Sequence, residues 1–155
     1  MEVWRVGVRM KIIDGKKFCD DRGFVSYIND LDLSKYKRFY IVENHEQGFI
    51  RAWHGHKLES KAIICLRGAA LITAVEFSSS GFDPDGEVCI DRITISAHGP
   101  QAVIIPAGFA NGAKTLTPDC ILMYLSDKTV EESKKDDYRF PWHHWGTGCW
   151  GTEYK

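Results

Sequence analysis

Two histidines separated by one glycine, His54 and His56, lie in the stretch Arg51-Ala-Trp-His-Gly-His-Lys-Leu-Glu-Ser-Lys61, with Arg51, Glu59 and Lys61 close by. In an extended strand alternate residues share a face, so the two imidazoles project to one side and Trp53 and Gly55 to the other. Imidazole suits both divalent metals and proton movement near neutral pH. The pattern alone leaves three readings open: a metal centre, a proton-transfer site, or a structural pair.

A metal centre of this kind needs two alternate histidines, a carboxylate a few residues on, and a third histidine from a later strand. His54, His56 and Glu59 are candidates for the first three places. The later segment Gly99-Pro-Gln-Ala-Val-Ile-Ile-Pro-Ala-Gly-Phe-Ala-Asn111 has an asparagine where the third histidine is needed, and an amide is a poor transition-metal ligand. No metal and no other cofactor is expected. Proton abstraction beside a ketone asks for a base, a cation or donor for the enolate oxygen, and an acid that returns the proton. His54 fits the first role, Lys61 or Arg51 the second, and the phenol of Tyr124 in Leu122-Met-Tyr-Leu125 the third. Taken singly, a strand histidine or a tyrosine in an apolar run is more often packing than chemistry. Arg22, in Asp20-Asp-Arg-Gly23, reads on its own as a solvated turn residue.

A run of short strands must position these groups. Residues 3–13, 24–28, 38–42, 49–53, 61–66, 69–77, 88–95, 102–105, 113–116 and 120–125 have strand character and are separated by Gly, Pro and Asp turn signals. Residues 18–23 and 107–112 read as a link and a loop, and 29–34 as a polar stretch holding a short helical turn. Only 129–137 looks helical, ahead of a tail carrying Phe140, Trp142, Trp145, Trp150 and Tyr154. The expectation is an all-β sandwich or barrel over residues 1–155 as a single domain, with a short helical or irregular C-terminal segment. The 155 residues are enough for one sizeable core. A net charge of -1 gives no support to nonspecific nucleic-acid binding. No apolar run approaches the roughly 20 residues of a membrane-spanning helix. Met1-Glu-Val-Trp-Arg5 is not followed by an apolar signal region, so a cytoplasmic protein is expected. The cysteines (Cys19, Cys65, Cys89, Cys120 and Cys149) are odd in number, widely spaced and without a CxxC pair, which favours reduced thiols over disulfides or a cysteine zinc site.

Several motifs then fall in one order. Phe18-Cys-Asp-Asp-Arg-Gly-Phe24 resembles an F-x-D-x-R-G-F motif, Arg51-Ala-Trp-His54 an R-G-x-H motif, and Ser60-Lys61 before an apolar strand and Gly68 a K-L-V segment and turn. Ile105-Pro-Ala-Gly-Phe-Ala-Asn-Gly112 is similar to I-P-x-G-F-A-H-G, and Met123-Tyr124 to L-Y. Together, over about residues 18–126, they resemble the nucleotide-sugar cupins typified by dTDP-4-dehydrorhamnose 3,5-epimerase. The resemblance implies a cupin jelly-roll barrel, usually a homodimer, that uses no metal. It implies His54 as base, Tyr124 as acid and Lys61 as the partner of the keto oxygen. Arg51 would line the sugar and phosphate end, and Arg22 would hold the pyrophosphate. The implied substrate is a dTDP- or other nucleotide-linked 4-keto-6-deoxy sugar, inverted at C3 with or without C5. The chain departs from the pattern at Ala52, at Asn111, and at Glu76, which stands where the family has an Asp. The family's C-terminal Asp that pairs with the base has no counterpart, so Glu59 or Glu76 is left to substitute. A sister group, the nucleotide-sugar 3,4-ketoisomerases, carries R-G-x-H-A-H, which Arg51-Ala-Trp-His-Gly-His56 also resembles; there both histidines work on the sugar. A sugar-nucleotide-binding cupin without turnover is the alternative outside enzymes.

Overall fold

The structure, a computed structural model, describes residues 10–77 and 89–154. Two five-stranded antiparallel sheets face each other in a jelly roll, with a separate two-stranded hairpin. The strands are β1 (Lys11–Asp14), β2 (Lys16–Asp20), β3 (Gly23–Tyr27), β4 (Arg38–Glu43), β5 (Ile50–Gly55), β6 (Lys61–Arg67), β7 (Ala69–Glu76), β8 (Ile90–Ser96), β9 (Gln101–Ile105), β10 (Phe109–Thr115), β11 (Ile121–Ser126) and β12 (Tyr138–Arg139). One sheet runs β1-β9-β6-β11-β4 and the other β12-β5-β10-β7-β8, while β2 and β3 pair alone. The one α-helix among the described residues is α1 (Val130–Lys134), inside the stretch that reads as helical. Thr129 starts it with a capping box, its hydroxyl accepting from the Glu132 amide while Glu132 reaches back to the Thr129 amide.

The inner faces of the sheets form the main core, built from Ile63, Cys65, Ile72, Ile95, Val103, Ile105, Phe109, Leu122 and Tyr124 among others. Burying alternate residues of facing strands produces this sandwich from the period-two pattern. Cross-strand register orders the inner face of the first sheet in rows. Lys61, Ser126 and Arg38 lie side by side, and Ile63, Tyr124 and Tyr40 form the next row. The outer face of the second sheet is closed by the tail: Trp53, Leu71, Val75 and Ala110 pack with Cys149 and Trp150, flanked by Phe140 and Trp145. The Trp142 carbonyl accepts from both the Trp53 and Trp150 indoles, at 3.1 and 3.0 Å. The tail tryptophans are thus packing elements of the sandwich.

Two readings of the sequence are corrected. The 107–112 stretch is not all loop, because β10 begins at Phe109 and runs through Asn111 and Gly112, paired on both sides. Gly, Ala and Asn are poor strand formers alone, but neighbours on either side override propensity. Residues 18–20 belong to strand β2, and only Asp21 and Arg22 make the hairpin tip. The first strand seen begins at Lys11; the part of the expected strand before Met10 lies outside the described residues, as does the first residue of the expected strand at 88–95.

Candidate active site

β5 carries His54 to the inner face, with His56 directly after its last residue, and the pairing of β5 with β10 explains how. Asn111 pairs with His54 and Ala113 with Arg51, so two residues of β10 are matched by three of β5. The bulge resets the alternation and puts Arg51 and His54 on the same side. The Asn111 side chain is buried and donates to the His54 carbonyl at 3.3 Å. It therefore braces the strand under His54 as a donor. Among the described residues no group of three or more His, Cys, Asp and Glu side chains is arranged to hold a metal ion.

His54, His56 and Lys61 line one pocket of about 250 Å³ with Arg38 and Tyr40 of β4, Val130, Ser133 and Lys134 of α1, and Asp137 and Arg139. The last two come from the strap around β12, which pairs antiparallel with the edge of β5 and sets Arg139 opposite His54. Backbone bonds between Trp53 and Phe140 in both directions continue that ladder. The wall facing the sheets is therefore supplied from the C-terminal side. Asp136 anchors it: its carboxylate accepts from the amides of Lys57 and Leu58, both at 2.8 Å, and of Glu59 at 3.3 Å. Asp127 takes the next amide, that of Ser60, at 2.9 Å. The loop between β5 and β6 is thereby fixed residue by residue.

Electrostatics differ between the two histidines. Burial, then the charges of Lys61 and Arg139, push His54 below its ordinary value of 6.5, with Asp137 opposing. Its ring makes no hydrogen bond among the described residues, and the carboxylate expected behind it is not there. Glu59 sits instead on His56, 2.9 Å from its Nε2, with both side chains buried. Burial alone would raise the Glu59 carboxyl, but hydrogen bonds from His56 and Ser126 and the Lys61 charge pull it down to about 2. Lys61 is itself pulled down by burial, with Glu59, 3.9 Å away, opposing.

The other candidates lie elsewhere. Tyr124 is buried one ring behind the pocket, stacked on Tyr40 at 5.0 Å with the planes 5° apart. Burial holds Tyr40 up at about 12 and raises Tyr124 as well. Arg51 donates to Asn44 at 2.6 Å, and its charge acts on the Tyr124 phenol. Glu76 ends β7 opposite Phe109. Arg22 is at the exposed hairpin tip, paired with Asp20. Sequence reasoning missed Arg38, Tyr40, Ser133, Lys134, Asp137 and Arg139. For the last four, only the position of the helix start after β11 carried any signal.

The family model described as dTDP-4-dehydrorhamnose 3,5-epimerase matches residues 9–143, and the chain belongs to that family. Among solved structures the fold is shared with a dTDP-4-dehydrorhamnose 3,5-epimerase from Bacillus anthracis with TDP and PPi bound (24% identity, TM-score 0.69, 86% of this chain and 79% of that one). It is shared with a variant of the 3,4-ketoisomerase QdtA from Thermoanaerobacterium thermosaccharolyticum in complex with TDP-4-keto-6-deoxyglucose (21%, 0.65, 86% and 88%). ChmJ, a 3'-monoepimerase from Streptomyces bikiniensis in complex with dTDP-quinovose, is also similar (17%, 0.68, 84% and 68%). No curated protein matches the chain.

Proposed function

We propose that this member of the dTDP-4-dehydrorhamnose 3,5-epimerase family is a single-domain cytoplasmic enzyme that epimerises a dTDP- or other nucleotide-linked 4-keto-6-deoxy sugar at C3, with or without C5. The observation that carries the reading is the pairing of His54 with Lys61 in one pocket, where burial and neighbouring cations favour the neutral, proton-accepting ring. His54 removes the proton beside the ketone. Lys61 supports the charge that develops on the keto oxygen, a contact worth most in a buried site. Tyr124 returns the proton on the opposite face, next to Tyr40. Arg51, Asn111 and Glu76 shape the surroundings. The pocket of about 250 Å³ suits one sugar ring rather than a whole nucleotide sugar. The nucleotide lies outside it.

The enzyme acts as a homodimer. Phe18, Phe24, Val25, Phe39 and Ile41 are exposed on the β2–β3 hairpin and β4, which is the kind of apolar surface a second copy covers. Arg22, outside this chain's pocket, meets the pyrophosphate in that assembly.

A 3,4-ketoisomerase is the second reading. It is favoured by both histidines lining the pocket while Tyr124 does not. Incubation with TDP-4-keto-6-deoxyglucose in deuterated water, followed by NMR, separates the two. Deuterium at C3 with inversion is expected. Deuterium at C4 with a new 3-ketone would establish the isomerase, and tight binding with no exchange would establish a binding module. His54→Asn is expected to lower exchange at C3 by about 10²–10⁴-fold; unchanged exchange would remove His54 from the role of base.

A further inference from the structure

Glu59 is the most fully surrounded ionised group of the site, and the reaction outlined above does not use it. Its side chain is inaccessible to solvent. One carboxylate oxygen faces His56 Nε2 at 2.9 Å and the Ser133 hydroxyl at 3.2 Å. The other accepts from the Ser126 hydroxyl and from Arg38 Nη2, the latter at 3.3 Å. Every direct partner of the carboxylate is a donor, and they come from the loop after β5, from α1, from β11 and from β4. Its own amide is held by Asp136. A carboxylate so surrounded can neither rotate nor donate. The ring nitrogen it touches must carry a hydrogen.

We infer that Glu59 is a positioning residue for His56. By accepting the Nε2 proton it holds the neutral ring in one tautomer, with the Nδ1 lone pair as the proton-accepting atom. Nδ1 has no partner among the described residues, whereas Nε2 is closed off by Glu59 and by Ser133 Oγ at 3.4 Å. The neighbouring charged groups are Arg38 on β4, Lys61 on β6, Lys134 on α1, and Asp137 and Arg139 around β12. Among the described residues, Glu59 is the carboxylate that has a contact with the His56 ring. His54 and His56 thus differ in kind: one is a ring left free among cations, the other a ring oriented by a buried acid. Paired titratable groups in contrasting environments are how one pocket supports two proton-transfer roles. The inference rests on the proton-transfer reading above.

The tautomer can be measured without substrate. In protein labelled with ring-15N histidine, two-bond 1H–15N spectra are recorded about two pH units above the ordinary imidazole value and upward from there, until the His56 signals stop changing with pH. His56→Asn assigns its signals. A single Nε2–H form for His56 is expected. An Nδ1–H or mixed form would overturn the assignment, whatever the activity shows. In Glu59→Gln, whose amide can present either oxygen or nitrogen, His56 is expected to become mixed. Turnover should then fall about 10²-fold with KM little changed, and Glu59→Asp should restore part of it. If Glu59→Gln lowers only thermal stability and leaves the tautomer and kcat unchanged, Glu59 is a structural charge and the inference fails. Absence of any sugar exchange in the unaltered protein would instead defeat the proton-transfer reading, and the tautomer spectra distinguish the two failures.

Discussion

The charge state of His54 is set first by its burial and then by its neighbours. Burial, Lys61 and Arg139 all act against a positive ring. A base of this kind keeps its proton-accepting form below pH 6.5, so the acid limb of kcat/KM is expected below that value. Removing the Lys61 charge in Lys61→Gln should move the His54 titration upward, which NMR titration of the ring reads even when turnover is lost. A fall or no change would mean that Lys61 does not face His54. The two phenols make a second pair. Tyr124→Phe is expected to slow inversion by about 10²-fold while leaving exchange at C3 nearly intact; if Tyr40→Phe does this instead, the pocket-facing ring is the donor. His54, His56 and Lys61 were legible because strand alternation is local. The partnership of Glu59 with His56 rather than His54 was not, because it depends on how the loop between β5 and β6 is held by Asp136 and Asp127, far along the chain.

Elements place these side chains through their edges. The bulge between β5 and β10 aligns Arg51 with His54, and β12 adds Arg139 opposite it. Neither follows from hydrophobic pattern, since a bulge and a two-residue edge strand leave almost no periodic trace. The strands of the two sheets did leave one, and most of them stand within a residue or two of where alternation puts them. Asp136 is the pin of this arrangement. Asp136→Asn replaces an acceptor of three amides by a group that can satisfy only part of them, and should cost about 2 kcal/mol in denaturant unfolding. Gly112 is the tightest point under the tail. A Cβ there would stand 2.5 Å from the Ala52 Cβ and 2.6 Å from the Trp150 ring. Gly112→Ala should destabilise by about 1–3 kcal/mol, seen as a lower Tm, and an unchanged Tm would show that the tail yields freely.

The whole molecule has one surface covered by its own tail and another left apolar. Trp53 is closed over by the tail, whereas Phe24 and Phe39 remain 68% and 65% exposed on the hairpin and on β4. Aromatic residues in that position stabilise a monomer little. If the proposed homodimer forms through this surface, Phe24→Asp should leave thermal unfolding of the dilute chain nearly unchanged while giving a monomer in sedimentation velocity where the unaltered chain is a dimer; a dimer that persists would place the interface elsewhere, and a monomeric unaltered chain would remove the proposal. No helix among the described residues is long and apolar enough to cross a membrane. The jelly roll itself was legible from many short strands with turn punctuation, as was the family from motifs spread over much of the chain. The strap was not, because a polar helix and a Trp-rich segment do not reveal in sequence which sheet edge they will meet.

That strap imposes an order on biosynthesis. A ribosome delivers β4 to β11 before it delivers Asp136 and the segment behind it. The two sheets can pair while His54 still lacks Arg139 and Trp53 still lacks its cover, since segments made first fold first. The pocket is finished late in translation, after the barrel that bears the base. A nascent chain therefore exposes Trp53 to chaperones before it can touch a sugar.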